Sequence, residues 1–367
     1  MQYVAQTSSP GSARLRTRRE RIAPRLLIGS AALLAVAVVL SISIGATGAN
    51  FDAVPKLLEA LVSQASDPAS AREELILLNI RLPRTILAMF VGASLAVSGA
   101  MMQGLFHNPL ADPAIIGVSA GAALGAVSII ALGHSFAGPW IALLGIYAVP
   151  AAAFVGGMGA TLILVAVAQR RGQLMVGTLL LAGLAVAAMA EAAMGFISYL
   201  SDDRALRDLT LWRLGSLAGA SWAKVLGIVP FAIFIAVVIP YLVRGLNGLL
   251  LGEAEAFHLG IDVERIKRLV VVTTAASVGA AVAVAGIVVF VGIVVPHFVR
   301  LIAGPDHRIV LPASALLGAV LAVSGDIVAR TLVAPAELPI GIVMAVIGGP
   351  VFLHLVLKRG VGGLEGR

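Results

Sequence analysis

An all-α membrane protein with ten transmembrane helices and an inverted internal repeat is the fold class that this sequence predicts. Three observations lead there. Hydrophobic residues make up 59% of the 367 and charged residues only 12%, too little polar surface to cover a water-soluble globule, so apolar side chains must face lipid. Apolar runs recur at close to the ~20 residues that a helix needs to cross a bilayer. Lys and Arg gather at the ends of those runs with a bias to one side. The composition agrees: 40 glycines and only 5% aromatics suit closely packed membrane helices. The chain has no Cys, which excludes a disulfide framework and thiolate metal ligands. The net charge of +7 does not mark a nucleic-acid partner, because no basic face is interleaved with aromatics.

Residues 1–25 read as a cytoplasmic arm rich in arginine: Arg14, Arg16, Arg18, Arg19, Arg21 and Arg25. The apolar run from Leu26 to about Ala46 follows. It exceeds the roughly 7–15 residues of a signal-peptide core and reads as an uncleaved first span. Further runs lie at Thr85–Phe106, Ile115–Gly133, Pro139–Ala168, Leu174–Ser198, Val225–Val243, Leu269–Val289, Ile309–Thr331 and Pro339–Leu357. Val291–Ala303 is short and holds Pro296, His297 and Arg300, so hydropathy leaves it undecided. Charge decides it. If this segment crosses, 17 of the 26 Lys and Arg lie inside; if it does not, they divide 13 and 13. The positive-inside rule selects ten spans with both termini cytoplasmic. The membrane domain then covers 26–358, with a cytoplasmic tail at 359–367.

The pattern G-A-x-x-A-V-x-G occurs at Gly92–Gly99 and again at Gly279–Gly286. The two copies fall on spans of opposite direction, the mark of an inverted repeat, which in transporters builds a pathway between the halves. A chance match between Gly/Ala-rich helices is the other reading, since Gly318–Gly325 also fits.

Polar constellations sit at the span ends. The inner loop 244–268 contains Gly252-Glu253-Ala254-Glu255-Ala256-Phe257-His258-Leu259-Gly260, good helix formers closed by a C-capping glycine. It reads either as a solvated linker or as a short helix offering Leu251, Phe257 and Leu259 to a groove on a soluble partner. Asn108-Pro109-Leu110-Ala111-Asp112-Pro113 breaks the helix pattern and reads as an ordinary turn or as a turn at the inner mouth of a pathway. Arg81, Arg84 and Arg330 lie on the outer side against the charge bias, placed to meet lipid headgroups or the carboxylates of a docking protein. Glu191 and Asp326 are the intramembrane acids, functional candidates by default; Asp326 sits one turn before Arg330 and Glu191 has no local partner. His107, His297 and His354 at span ends could each ligate an iron centre, but lone histidines there are more often structural, and no metal-binding set is apparent. The chain lacks the G-x-x-x-x-G-K-[ST] loop, so any nucleotide is bound by a separate subunit. It also lacks H-E-x-x-H, which leaves a zinc protease unsupported.

Four segments carry a resemblance: RLPRTILAMFVGASLAVSGAMMQGLFHNPLADPAIIGVSAGAALGA at Arg81–Ala126, LGEAEAFHLGI at Leu251–Ile261, GIVVFVGIVVPHFVRLIAGPDHR at Gly286–Arg308 and GDIVARTLVAPAELPIG at Gly325–Gly341. The chain resembles the FecCD family of ABC permeases, importers of iron-siderophores, heme and cobalamin, from the first span to Lys358. The resemblance implies a cobalamin-permease-like fold of the type II ABC importers, in a bacterial inner membrane. It implies a homodimer of permeases, two cytoplasmic ATPases that bind ATP and Mg, and a periplasmic substrate-binding protein. This chain then has no catalytic residue and binds no cofactor of its own. By position, Arg81, Arg84 and Arg330 match the arginines that receive the binding protein. Gly252, Glu253, Ala254, Glu255, Phe257, Leu259 and Gly260 match the coupling helix. Asn108 and Leu110 match the inner gate, and Val176 with Gly177 fall where the cobalamin permease has hydroxyl side chains at a second gate. That departure argues against cobalamin; NPLADP and the segment Asp202–Trp222 look more like heme permeases. An ion-driven secondary transporter, in which Glu191 lines the pathway, is the alternative of another class.

Overall fold

Helix α1 (Pro10–Ser43) carries the end of the arm into the first span without a break, and its apolar part starts at Ile22. The computed structural model describes residues 10–45, 48–49, 52–56, 68–132 and 138–362. Residues 1–9 of the arm and 363–367 of the tail lie outside the described residues, as do the side chains of 10–21.

Residues 68–84, which precede the span expected to start at Thr85, are helical. Helix α2 (Pro68–Ile76) runs through a π turn at Leu77–Arg81 into α3 (Leu82–Leu105), so Arg81 and Arg84 lie within one continuous helical stretch, Arg72–Leu105. The reason is Pro83. Proline removes an amide donor and crowds the preceding turn, and the wider π turn, closed by Leu82 N–H on the Leu77 carbonyl, absorbs it without breaking the helix.

A 3-10 turn at Pro113–Ile116 leads into α4 (Val118–Leu132). The next run, expected as one span, is one candidate span at Ile141–Ala168, in which α5 (Gly138–Leu144) passes through a 3-10 turn at Gly145–Tyr147 into α6 (Ala148–Ala168), with Gly145 at φ +53°. A two-residue hairpin pairs Gln169–Arg170 with Gln173–Leu174. Helix α7 (Val176–Tyr199) follows. The outer segment after it holds α8 (Asp203–Arg213), and Ser221 then caps α9 (Trp222–Leu249). The inner loop resolves into the end of α9, the short α10 (Glu253–His258) and the start of α11 (Val263–Ala285). Helices α12 (Val291–Ala303), α13 (His307–Thr331) and α14 (Ile340–Gly362) complete the chain. Short polar side chains open several of these helices: Asp202, Ser221, Asp262 and Asp306 each accept a first-turn amide, as good N-caps do.

Among the described residues, seven helices are long and apolar enough to cross a membrane, and Val118–Ala131, Val291–Ala303 and Ile340–Leu355 are shorter apolar helices. Two of the seven sit at the centre: the apolar 18-residue stretch of α3 is 78% buried and that of α11 83%, against 17–28% for the stretches of α1, Ile141–Ala168, α7 and α9. Small residues decide this arrangement, because in lipid helices associate through close packing and not through the hydrophobic effect. A Cβ at Gly92 would lie 2.1 Å from the carbonyl oxygen of Gly318 on α13, and one at Gly99 would lie 1.8 Å from that of Gly292 on α12. Only glycine permits these crossings. Helix α3 packs along α13, while α11 packs along α6, and Ser277 Oγ donates to the Ser94 carbonyl to join the two central helices. Large residues such as Leu181, Leu184 and Val237 are exposed on the outer helices.

Candidate functional site

The polar residues fall into two groups at opposite ends of α3, whose 24 residues span about 36 Å at the rise of an α-helix. At its start, Arg84 is buried and fully engaged. Its Nε donates to both carboxylate oxygens of Asp326 at 3.0 Å, Nη2 donates to Asp326 Oδ1 at 2.8 Å, and Nη1 donates to Glu337 Oε1 at 2.8 Å. Arg330 Nη2 donates to the carbonyl and the hydroxyl oxygen of Ser41, each at 2.8 Å, and its Nε lies 3.7 Å from Asp326 Oδ2. Arg81, half-buried, donates to the carbonyls of Ile42 (2.6 Å) and Ser43 (3.2 Å). The three arginines thus gather where α1 and α13 end and α3 begins. Asp326 is shared between Arg84 and, more distantly, Arg330, so the local i,i+4 pair expected from the sequence is the weaker of its two contacts. Glu337 and Ser41 were missed because their partners are 253 and 289 residues away.

At the other end of α3 stands α10. Its entry, Gly252, has φ +112°. Its exit is a Schellman turn: Gly260 N–H bonds the Phe257 carbonyl and Ile261 N–H the Ala256 carbonyl, with Gly260 at φ +75°, which glycine supplies without strain. The turn folds Ile261 and Ala256 together against Gly248. Ala256 is thereby buried while Phe257 is 71% exposed, Leu251 63% and Leu259 59%. Ala254 and Glu255 are exposed as well. Glu253 Oε2 accepts from Lys267 Nζ at 2.7 Å; this buried lysine also donates to Glu264 Oε1 at 3.2 Å, and Glu264 Oε2 accepts the Leu174 amide at 2.6 Å. An open cleft of about 730 Å³ lies beside the helix, lined by Gln173, Glu253, Phe257, His258 and Glu264. An apolar knob held rigidly from behind can seat in a groove of another protein. Lys267 and Glu264 were legible only as loop-end charges.

The Asn108–Pro113 turn follows the same end of α3. Asn108 Oδ1 accepts the Leu110 amide at 3.0 Å and Asp112 Oδ1 accepts that of Ala114 at 2.6 Å. Asn108 is exposed and Leu110 half-buried. Burial pushes the Asp112 carboxyl above its ordinary range, and the Ala114 amide pulls it the other way. His107 bonds the Leu249 carbonyl through Nε2 at 2.6 Å, joining the turn to the end of α9.

Val176 opens α7, and a Cβ added at Gly177 would meet nothing within 4 Å. Glu191, mid-way along α7, accepts from Arg213 Nη2 at 3.0 and 3.1 Å, with both side chains about half exposed. The acid without a sequence-local partner has a distant one, supplied by α8. His297 is buried and His354 exposed.

The sequence matches the FecCD transport family over residues 33–358. It is 42% identical over 339 residues to the hemin transport system permease protein HmuU of Yersinia pestis, covering 92% of this chain and 97% of that one. It is 43% identical over 291 residues to the cobalamin import system permease protein BtuC of Halobacterium salinarum, with 79% and 76% covered. A solved ABC transporter described as of metal-chelate type, in an inward-facing conformation, superposes with a TM-score of 0.77 at 32% identity, over 91% of this chain and 99% of that one. With the match covering nearly the whole membrane domain and two polar clusters set at opposite ends of its central helix, this chain belongs to the FecCD transport family.

Proposed function

We propose that this chain is the permease of an ATP-driven importer that carries heme across a bacterial inner membrane. The observation that carries the reading is α10: exposed Phe257 on a helix braced from behind by Lys267, with exposed Leu251 and Leu259 flanking it, forms a surface for a soluble ATPase, and the chain lacks a phosphate-binding loop of its own. Heme is favoured over cobalamin because the hemin permease aligns over 92% of this chain and the cobalamin permeases over 79–80%. Family membership sets aside the ion-driven alternative.

The long and the shorter apolar helices together make ten spans. The inverted repeat is supported by packing: the first helix of each half lies on the third helix of the other, α3 on α13 and α11 on α6. Gly117 and Phe290, which precede the second helix of each half, are both left-handed. Two copies of the chain enclose the pathway, with both termini cytoplasmic. Asn108 and Leu110, with Val176 and Gly177, close its inner end; the exposed Gly177 leaves room for cargo or for the second copy. The arginine cluster receives the binding protein, and this requires an incoming carboxylate to compete with Glu337 for Arg84. ATP and Mg are held by the partner subunit, and no bond chemistry is assigned here.

The test is uptake into proteoliposomes containing this chain and its ATPase, with binding protein loaded in turn with heme, a ferric siderophore and cobalamin. ATP-dependent accumulation of heme above the other two is expected. Accumulation of cobalamin or siderophore without heme refutes the cargo assignment, and uptake independent of ATP refutes the importer reading.

A further inference from the structure

The segment Gly286–Arg308 contains a basic residue and a histidine that neither the docking cluster nor α10 uses. Arg300, in the last turn of α12, donates through Nη2 to the Ala100 carbonyl of α3 at 2.9 Å and lies 3.1 Å from His307 Nε2; its Nη1 reaches the Pro305 carbonyl at 3.5 Å. His307, the first residue of α13, is fully buried. Its Nδ1 and its backbone amide are each 2.9 Å from Asn247 Oδ1, near the end of α9. Asn247 Nδ2 donates to Asp306 Oδ1 at 2.7 Å, and Asp306 Oδ1 accepts the Arg308 amide as the cap of α13.

The donors and acceptors along these contacts have one consistent assignment. A guanidinium can only donate, so His307 Nε2 must accept and the imidazole is neutral with its hydrogen on Nδ1. Nδ1–H and the His307 amide then require an oxygen on Asn247, which turns Asn247 Nδ2 toward the Asp306 carboxylate. Rotating the amide would set two donors together and an oxygen against an anion. The polarity is fixed from Arg300 to Asp306 with no mobile proton. It joins four helix ends, those of α3, α9, α12 and α13, three residues before α9 reaches Leu250 and the run into α10.

We propose that Arg300, His307, Asn247 and Asp306 form a rigid link that makes the inner end of α9 move as one body with α12 and α13, so that displacement at α10 reaches the central helices. His307 is its positioning residue. The role in transport rests on the reading of α10 as the surface facing the ATPase; the link itself does not.

The chain has no Cys, so spin labels at R244C on α9 and L301C on α12, both exposed, report the link directly. The measurement is the electron–electron distance in the full chain assembled with its ATPase in nanodiscs. Labelled copies are diluted with unlabelled chain, so only pairs within one copy contribute. A narrow distribution, the same in the nucleotide-free and ATP-trapped states, is expected. Asn247→Asp sets two carboxylates face to face and should broaden it. Adding Asp306→Ser should restore it, because a serine hydroxyl both accepts the Arg308 amide and donates to the new carboxylate. A distribution unchanged by N247D, or one that N247D/D306S fails to restore, overturns the link. If N247D does not assemble, recovery of assembly by the second change supports the link, and its failure overturns it. A wild-type distance that changes between the two nucleotide states overturns movement as one body. If nucleotide shifts no label in the wild type, including one at His258, the reading of α10 fails instead and the link stands on the two variants.

Discussion

Replacing Arg84 with Met removes the centre of the arginine cluster without adding bulk. The side chain loses three hydrogen bonds to Asp326 and one to Glu337. Asp326, 1% exposed, keeps only Arg330 Nε at 3.7 Å. Removing one partner of a buried ion pair costs about 3–5 kcal/mol, because the other charge is left in a medium that solvates it poorly. The residual Arg330 contact sets the expectation at the lower end, about 3 kcal/mol, or roughly a hundredfold in the ratio of folded to unfolded chain. Titration of purified permease with SDS in mixed micelles, followed by helical circular dichroism, measures it. Two controls bracket the result. The double variant R84M/D326L removes both charges and leaves Arg330 on Ser41, so it should be more stable than R84M alone. E337Q alters a third-exposed partner and should cost about 1 kcal/mol or less. R84M within about 1 kcal/mol of wild type, or a double variant no more stable than R84M, would refute the clamp and leave docking as the whole role of Arg84.

Gly92→Leu forces α3 from α13, since even a Cβ would sit 2.1 Å from Gly318 O; a loss of about 1–3 kcal/mol or more in the same titration is expected from overpacking. F257A/L259A removes two exposed side chains of α10, so stability of the isolated permease should stay within about 0.5 kcal/mol. ATP-driven uptake by that variant should fall by roughly tenfold, as for truncated interface anchors; full uptake would remove α10 from the ATPase contact. Asp112→Asn keeps the Oδ1 acceptor for Ala114 but removes a carboxyl whose pKa is raised by burial. A raised carboxyl pKa means that the folded chain holds the proton more tightly, so stability falls as pH rises from the ordinary Asp range through the raised value. Thermal melts in detergent should therefore show D112N gaining on wild type from about pH 4 upward, and parallel curves would count against desolvation of the half-buried Asp112 carboxyl.

Some of this was legible in the residues alone. Apolar run length and the arginine bias specify membrane helices, because a bilayer penalises polar backbone and charge wherever they stand in the chain. The breaks at Asn108–Pro113 and Gly252–Gly260 follow from proline and glycine chemistry, which is local. Of the two readings left open for 252–260, a linker or a short helix, the structure has the helix α10, with Phe257 exposed. Pro83 shows the limit of local reading: the apolar run begins after it at Thr85, but the π turn carries the helix through it. What the tertiary structure decided is pairing. Asp326 demanded a cation, yet its strongest partner is Arg84, 242 residues away, and not Arg330 one turn on. Glu191 found Arg213 only because α8 folds back on α7. The link from Arg300 to Asp306 joins residues up to 60 apart with the Ala100 carbonyl 200 residues from Arg300. Sequence sets which groups need partners, through the cost of burying charge. Which groups meet depends on helix crossings set by contacts such as Gly92 against Gly318, and those exist only once the halves have packed.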